Sequence, residues 1–401
     1  MTRANGPLHG ITILDLSRVL SGPYCTMLAA DMGARVIKVE HPERGDDTRA
    51  WGPPFQSGES AYYLSVNRNK ESIAIDFKTP QGREVLTSLA GRADAIVENF
   101  RPGTLAPAGL DSATLLARHP ALIYVSISGF GQRGPRRDEP GYDAVAQAEG
   151  GLMSVTGPEG GPSVRLGVAI ADLAAGMFAF QGLLLALIAR GRTGRGQHVD
   201  ISLLDSVTAL LTYQASRYFA TGEAPRATGN RHLSIAPYDT FDTSDGVLVL
   251  AVGNDAQWQR LCRVLGRDSW AGDPRFTTNA DRVAHADALR TLLRDLFRTH
   301  TRDQLVARLR GADVPCGAVR SIDDALADPQ TVFRDMIATI DHPLIGSLRV
   351  LGLPVKLSET PGGIDSPPPR LGEHTRQVLS RDLGVSDEHI DALVRAGAIR
   401  T

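Results

Sequence analysis

The sequence predicts an α/β fold with a largely parallel sheet and, after it, a smaller α+β unit. Short runs rich in Ile, Val and Leu alternate with helical stretches through the first third of the chain. The predicted strands are 11–16, 35–40, 72–76, 94–97 and 122–126, with predicted helices at 23–32 and 80–90. Such alternation is typical of parallel sheets, whose ligands bind outside the carboxyl ends of the strands.

The rest of the chain predicts fewer and more separate elements. An apolar helix is expected at 173–190, a strand at 197–202 and a further helix at 203–221. From residue 229 the pattern changes to that of a second unit, with a buried strand at 247–252. Two capping boxes, Thr301 to Gln304 and Ser321 to Asp324, predict the starts of two later helices.

Composition and charge indicate an ordinary globular protein. The 401 residues suffice for two domains, with 42% hydrophobic and 22% charged side chains. Because 43 basic residues face 45 acidic ones, the formal net charge is only −2. This balance gives no reason to expect a nucleic acid or an anionic membrane as a partner.

Cysteine and histidine spacing argues against structural cross-links. Cys25, Cys262 and Cys316 form no Cys-x-x-Cys pair, and the ten histidines show no His-Glu-x-x-His spacing. We expect no disulfide framework and no metal site. Residues 1–10 hold no apolar run typical of a secretory signal, and glycines interrupt the apolar stretch 173–189. These features predict a buried core helix and a cytoplasmic location.

Three common motifs are missing. The first predicted strand is followed by Ser-Arg-Val-Leu-Ser-Gly-Pro, where a dinucleotide site would have Gly-x-Gly-x-x-Gly. The chain also has no P-loop and no Gly-x-Ser-x-Gly elbow. A nicotinamide-dependent dehydrogenase, a P-loop nucleotidase and a hydrolase of the elbow type are therefore disfavoured.

A series of strings carries a resemblance to a known family. One of them is Gly-Val-Ala-Ile-Ala-Asp-Leu-Ala-Ala-Gly, residues 167–176. The others are 8–23, 33–40, 45–49, 67–70, 97–103, 141–147 and 193–205. Their order and spacing resemble the class III CoA-transferases, the family that includes formyl-CoA transferase, carnitine CoA-transferase and α-methylacyl-CoA racemase. The resemblance runs from about residue 8 to Leu371–His374.

The resemblance implies an architecture beyond what the pattern predicts. Family members have a large Rossmann-like domain and a small domain, and two chains thread through each other as interlocked rings. On this basis we expect a homodimer with a large Rossmann-like CoA-binding domain at 1–202. A linker helix at 203–228, a small α+β domain at 229–320 and a C-terminal return to the large domain at 321–401 would follow.

The resemblance singles out Asp172 as the catalytic residue. An aspartate before an apolar helix is by itself typical of an N-cap, and both a cap and a helix N-terminus are compatible with an ionised carboxylate. At an ordinary pKa of about 3.9, Asp172 needs no general base at neutral pH. The implied mechanism is covalent: Asp172 forms a mixed anhydride and then an aspartyl-CoA thioester, with CoA thioesters as substrates and no bound cofactor.

Tyr142 bears on the choice between transferase and racemase. It stands in Gly141-Tyr-Asp-Ala, where transferases of the family carry a tyrosine and racemases a histidine. Because a racemase needs a base on each face of the α-carbon, tyrosine with a pKa near 10 favours the transferase. An α-methylacyl-CoA racemase and a catalytically silent CoA-binding protein remain the alternatives.

The resemblance also implies a CoA site. Val19 and Leu20 are expected to border the pantetheine arm, and Leu20 replaces the glutamine that borders the formyl site, which argues against a formyl-CoA and oxalate pair. Two family arginines correspond here to His41 and Pro107. The full predicted CoA-binding set is Val19, Leu20, His41, Ile75, Asp76, Phe77, Lys78, Asn99, Phe100, Arg101 and Tyr142.

The substrate acids are predicted from two further strings. Residues 46–55 and 60–70 look closest to the succinate–hydroxymethylglutarate CoA-transferase branch, which implies a dicarboxylic acid such as succinate or glutarate. Arg68 is the hypothesis for the distal carboxylate, because a guanidinium pairs with a carboxylate in bidentate fashion. The alternative is that Arg68 orders its own loop or a dimer interface.

Overall fold

A computed structural model describes residues 6–401, which form fourteen strands and seventeen helices. The strands are β1 (Thr12–Asp15), β2 (Arg35–Glu40), β3 (Phe55–Gln56), β4 (Glu59–Ser60), β5 (Lys70–Ile75), β6 (Ala95–Glu98), β7 (Ile123–Ser128), β8 (His198–Ser202), β9 (Tyr238–Asp242), β10 (Val247–Ala251), β11 (Cys316–Ala318), β12 (Ile337–His342), β13 (Gly346–Leu351) and β14 (Ile399–Arg400).

The helices vary widely in length. They are α1 (Ser21–Asp31), α2 (Ala61–Val66), α3 (Pro80–Ala90), α4 (Ser112–Arg118), α5 (Asp143–Glu149), α6 (Ile170–Thr193), α7 (Leu203–Leu210), α8 (Thr212–Thr221), α9 (Asp255–Val264), α10 (Asp268–Ala271), α11 (Asn279–Ala284), α12 (Ala286–Phe297), α13 (Arg302–Gly311), α14 (Ile322–Ala327), α15 (Pro329–Phe333), α16 (Thr375–Leu383) and α17 (Asp387–Arg395). Three short 3₁₀ turns lie at Asp47–Ala50, Ala106–Ala108 and Leu152–Ser154.

A seven-stranded sheet organises the first part of the chain. Its order is β14-β5-β2-β1-β6-β7-β8, and all pairs are parallel except β14 with β5. The central strands β1, β6 and β7 are buried on both faces, as expected for a parallel sheet covered by helices. The strand order reverses between β1 and β6, which creates a crevice at their carboxyl ends. The predicted α/β class with a largely parallel sheet is confirmed.

The chain divides into two compact units. The first contains the described residues up to Leu152, then Leu166–Ser216 and Pro329–Thr401. The second contains Met153–Arg165 and Arg217–Asp328, with the antiparallel sheet β11-β10-β9 and its own apolar core around Trp258. The domain boundaries expected at 202, 228 and 320 stay predictions.

Helix α6 is longer than the predicted 173–190 and packs in the core of the first unit. Small residues allow its close approach to neighbours: a Cβ at Gly176 would lie 2.7 Å from the Ser21 carbonyl oxygen, and one at Gly182 would lie 2.6 Å from Val199. By length and composition alone α6 could cross a membrane, yet Ala171, Ala175 and Ala179 are buried against the protein core. The face that carries these alanines lies in the core, as predicted, whereas Met177, Leu185 and Ile188 on the same helix are exposed.

Two local predictions were wrong. The single helix expected at 203–221 is divided into α7 and α8, because Thr212 adopts a φ of 32° and interrupts the regular helix after Leu211. The Thr301 side chain makes no capping hydrogen bond to α13. Its place is taken by Asp245, whose carboxylate accepts the Arg302 N–H at 2.7 Å. The Ser321 cap is formed as predicted, since its hydroxyl accepts the Asp324 N–H.

Candidate active site

The turn after β1 is strained and firmly held. Val19 has a φ of 68°, which is costly for a β-branched residue. Asn99 fixes the preceding residue from both sides: its Oδ1 accepts the Arg18 N–H at 2.8 Å, and its Nδ2 donates to the Arg18 carbonyl oxygen at 2.6 Å. Asp46 accepts the Val19 N–H at 3.2 Å. The surroundings therefore determine this turn, as is common where a backbone must meet a ligand.

A buried ionic cluster lies beneath that turn. Lys38 donates to Asp46 at 2.8 Å and to the Ser17 carbonyl oxygen at 3.0 Å, while Lys70 donates to Asp15 at 3.1 Å. All four charged side chains are buried. Burial alone would raise the pKa of Asp46, but the Lys38 ammonium lowers it to about 2. Each charge in the cluster has an opposite partner, so the cluster is a rigid support for the turn above it.

A cavity of about 500 Å³ opens at the carboxyl ends of β1, β2, β5 and β6. Five Lys and Arg residues line it, namely Arg18, Lys38, Arg44, Lys78 and Arg83. In residues 6–401 the side chains of the last three form no hydrogen bond or ion pair with the protein. Of the predicted CoA-binding residues, the cavity wall includes His41, Ile75, Asp76, Phe77, Lys78 and Phe100. We refer to it as the cationic cavity, and it suits the phosphates and the ring of a nucleotide.

A second cavity of about 330 Å³ contains Asp172. Its wall includes the other predicted CoA-binding residues, which are Val19, Leu20, Asn99, Arg101 and Tyr142. Arg18 lines this cavity as well as the cationic cavity, so the two adjoin at its side chain. The structure thus brings Asp172 and the eleven predicted CoA-binding residues to two adjoining cavities.

Asp172 lies in the first turn of α6, three residues after the N-cap. The N-cap is Ala169, so the interpretation of Asp172 as a capping residue was wrong. No hydrogen bond or ion pair reaches the Asp172 carboxylate from the described part of the chain. Burial, and then the charge of Asp143, raise its pKa to about 7. The expectation of an ordinary acidic pKa was therefore also wrong, because Asp172 is partly enclosed and lacks a cation partner.

Three residues of this site were not predicted from the sequence. The charge of Asp143 acts on Asp172, and Arg18 lines both cavities. Tyr62 lies near Asp172: burial chiefly, and then the charge of Asp172, raise the pKa of the Tyr62 phenol to about 12. Tyr62 contacts Trp51 edge to face, with 5.2 Å between the ring centroids. Asp143 directly follows Tyr142 in the string 141–147, so its position next to a predicted site residue could have indicated that it lies at the site.

Arg68 lies in the wall of neither cavity. Its Nε and one terminal nitrogen donate to the two carboxylate oxygens of Asp31 at 3.0 and 2.6 Å, and the other donates to the Leu351 carbonyl oxygen. The side chain is buried. This placement favours the alternative in which the arginine orders the surrounding chain.

Metal-ligating side chains are not clustered. Within residues 6–401 no group of three or more His, Cys, Asp or Glu side chains is arranged to hold a metal ion.

Comparisons with known proteins place this arrangement in a family. The sequence matches the model of CoA-transferase family III over residues 8–375. The chain belongs to CoA-transferase family III. It is 41% identical to the succinyl-CoA:glutarate CoA-transferase of Mus musculus over 393 residues, which cover 98% of this chain and 90% of that protein. It is 44% identical to the succinate–glutarate CoA-transferase of Agrobacterium fabrum, over 95% of this chain and 96% of that one.

A solved structure shows the same fold. A CaiB/BaiF family protein from Brucella suis superposes with a TM-score of 0.84 at 42% identity, over 94% of this chain and 99% of that one. The predicted family resemblance is confirmed, and this class III transferase is an enzyme.

Proposed function

We propose that this transferase moves CoA from a dicarboxylyl-CoA, such as succinyl-CoA, to a small dicarboxylic acid, with Asp172 as the covalent nucleophile. The names of the mouse and Agrobacterium relatives support the substrate class. One structural observation carries the mechanism: an unpaired carboxylate lies in a cavity that adjoins, at Arg18, a second cavity lined by unpaired cations.

The two cavities suggest how CoA lies. Its phosphates are assigned to the cationic cavity, where Arg44, Lys78 and Arg83 are free to bind them. His41 and Pro107 stand where other family members carry arginines, and we assign the role of those arginines to these three cations. The pantetheine arm then passes Arg18 and the strained Val19 turn, and it delivers the thioester to Asp172.

The reaction proceeds by two exchanges of acyl partners. The Asp172 carboxylate attacks the donor thioester carbonyl, the carbon–sulfur bond breaks, and CoA thiolate leaves a mixed anhydride behind. The thiolate then attacks the aspartyl carbonyl and expels the donor acid, which gives an aspartyl-CoA thioester. The acceptor carboxylate attacks that thioester and releases the thiolate. The thiolate finally attacks the acceptor carbonyl of the new anhydride and frees Asp172. No net proton, phosphate or electron is transferred.

The second carboxylate of the acid requires a cation inside the reaction cavity. Arg18 and Arg101 line the cavity that contains Asp172, and Arg18 carries a buried Nε that has no protein partner. We assign the distal carboxylate to Arg18, whose other contacts are an ion pair with Asp47 at 3.0 Å and the face of Phe100. The earlier prediction of Arg68 would require that side chain to leave Asp31.

A pair of variants separates the two arginines. Arg18→Ala is expected to lower selectivity for glutarate over the matched monocarboxylate butyrate by about tenfold, the value of a charge-assisted pair. Arg68→Ala is expected to lower the thermal midpoint while leaving that ratio within about twofold. A collapsed ratio in Arg68→Ala with an unchanged one in Arg18→Ala would reverse the assignment.

The oligomeric state and the location complete the proposed function. We propose an interlocked homodimer in the cytoplasm. In support, α6 exposes Met177, Leu185 and Ile188 at 46%, 65% and 61%, an apolar row suited to burial in an obligate interface. Light scattering after size-exclusion chromatography is expected to give twice the 42.9 kDa chain mass, and a monomer at micromolar concentration would contradict the dimer.

The experiment that tests the function is an acceptor panel. Purified protein is incubated with succinyl-CoA and equimolar glutarate, mesaconate, citramalate, butyrate and oxalate, and new thioesters are followed by mass spectrometry. Dicarboxylyl-CoA products are expected in the wild type and none in Asp172→Ala. Turnover confined to the monocarboxylate would overturn the substrate class, and transfer by Asp172→Ala at the native rate would overturn the mechanism.

A further inference from the structure

The start of α6 receives its cap from a different helix. Its N-cap, Ala169, has no side chain able to accept a hydrogen bond. The Asp143 carboxylate instead accepts the Ala171 N–H at 2.9 Å through one oxygen and the Gln147 amide at 2.7 Å through the other. Gln147 is fully buried, and its own oxygen accepts the Leu166 N–H at 3.0 Å. Asp143 is thus fixed on both sides, one residue away from the nucleophile's backbone.

This arrangement differs from an ordinary helix start. An acidic residue in the first turn is usually stabilised by the free N–H groups and the positive end of the helix. Here a foreign carboxylate occupies that position next to Asp172, and no cation pairs with either side chain among residues 6–401. Two negative charges therefore share one helix terminus.

We propose, given the transferase mechanism above, that Asp143 is a positioning residue: it fixes the helix turn that carries Asp172 and keeps a second negative charge beside the nucleophile. The charge of Asp143 adds to burial in raising the pKa of Asp172. A more basic carboxylate is a stronger nucleophile toward the thioester.

The same charge directs the first mixed anhydride, the one with the donor acid, toward aspartyl-CoA. When CoA thiolate attacks the aspartyl carbonyl, the donor carboxylate leaves and aspartyl-CoA forms. When the thiolate attacks the donor carbonyl instead, Asp172 leaves and the starting thioester is formed again. The less basic carboxylate is the better leaving group, and a carboxyl of the donor has an ordinary pKa of about 4.3. Because Asp143 disfavours the return of negative charge to Asp172, the thiolate preferentially forms aspartyl-CoA and releases the donor acid. The same preference opposes the last step, in which Asp172 leaves the acceptor anhydride, so the gain belongs to the formation of aspartyl-CoA.

Other ionisable groups lie near Asp172, and they stay unchanged in the variants that test this proposal. Tyr62 on α2 and Tyr24 on α1 lie in the apolar cluster that contains Leu173, the neighbour of Asp172. The remaining groups line the same cavity and are Arg18, Asp47, Arg101 and Tyr142. Among these charged neighbours, Asp143 is the one whose charge raises the pKa of Asp172.

Two variants of Asp143 separate charge from capping. Asp143→Asn keeps an oxygen for the Ala171 N–H and removes the charge, but its NH2 group replaces the oxygen that accepts the Gln147 amide. Asp143→Ala removes the charge and both acceptors. The matched control is Glu149→Gln at the other end of α5, whose carboxylate pairs with Arg136 on the surface. The measurement is kcat/KM for succinyl-CoA with glutarate from pH 5 to 9, together with single-turnover formation of aspartyl-CoA by intact-protein mass spectrometry.

Both Asp143 variants are expected to shift the acid limb of the pH profile down by about one unit, the effect of one nearby like charge. Their aspartyl-CoA should form about threefold to tenfold more slowly at pH 8, and Asp143→Ala, which also loses the cap, should lose more thermal stability than Asp143→Asn. Glu149→Gln should match the wild type. An acid limb unmoved in both Asp143 variants would overturn this inference while leaving the mechanism intact, if the wild type still forms an adduct at Asp172. Full transfer by Asp172→Ala would instead overturn the mechanism itself.

Discussion

Two groups of acidic side chains lie near the same sheet edge and behave in opposite ways. In the ionic cluster beneath the Val19 turn, Asp46 and Asp15 each contact a buried lysine, and the pKa of Asp46 falls to about 2. At the start of α6, Asp172 and Asp143 face each other without a cation, and the pKa of Asp172 rises to about 7. Both places are largely buried, so the difference comes from the partner. Paired carboxylates stabilise the site, and the unpaired one is available for chemistry.

The largest effect is expected when a lysine is removed from the ionic cluster. Lys38→Met should destabilise the fold by about 3–5 kcal/mol, because it leaves Asp46 buried without its counter-ion. Chemical denaturation of the two proteins measures the difference. Lys78→Met is the control, since this exposed cation has no protein partner and should change stability by less than about 0.5 kcal/mol. Equal stabilities for the two variants would show that the cluster is not a structural support.

Removing the charge of the unpaired Asp172 should stabilise the fold, whereas removing Lys38 should destabilise it. Asp172→Asn is expected to raise the free energy of unfolding by about 1–3 kcal/mol at pH 8, while abolishing transfer. The wild-type Asp172 carboxyl binds its proton more tightly in the folded state than in the unfolded state. Its contribution to the free energy of unfolding is therefore fully present below its ordinary pKa of 3.8 and is lost as the pH rises to about 7. The advantage of the variant should therefore shrink toward pH 4. Thermal unfolding across this range checks it, and a variant less stable than the wild type at pH 8 would contradict the account.

The pH dependence of the rate sharpens the same contrast. Because the nucleophile must be ionised, kcat/KM should rise about tenfold per pH unit below 7 and level off above it. A profile measured at fixed ionic strength between pH 5 and 9 tests this expectation. A rate that is flat down to pH 5 would mean that Asp172 titrates like an ordinary exposed carboxyl.

The smallest effect is expected in the cationic cavity. Arg83→Ala should raise the KM for succinyl-CoA about fivefold with little change in kcat, since it removes one of several phosphate contacts. The deficit should vanish when CoA is replaced by a short pantetheine thioester. A defect that persists with the short thioester would place Arg83 outside the nucleotide site.

Strand patterns were sufficient to predict the sheet, and the family resemblance was sufficient to predict the location of the site. The strands near 11–16, 35–40 and 122–126 are short runs rich in Ile, Val and Leu that alternate with helical stretches, and this alternation is typical of a parallel sheet. The residues that follow them necessarily meet at one edge, which explains why the predicted CoA-binding set converges on two cavities.

The electrostatic character of the site could not be predicted in the same way. Arg68 is a free cation in the sequence, but in the fold it meets Asp31, which lies 37 positions earlier. Asp172 looks like an N-cap, but the cap comes from Asp143, which lies 28 positions before Ala171, the residue whose N–H it accepts. Partners that meet only after folding decide whether a charge is neutralised, and local patterns contain no information about them.

The most direct test is to trap the covalent intermediate. The protein is mixed with succinyl-CoA without acceptor at pH 8, quenched in acid, and digested for peptide mapping by mass spectrometry. The account predicts CoA or a succinyl group joined to Asp172 in the wild type, and no adduct in Asp172→Asn. An adduct on another residue, or a fully active enzyme without any adduct at Asp172, would contradict it.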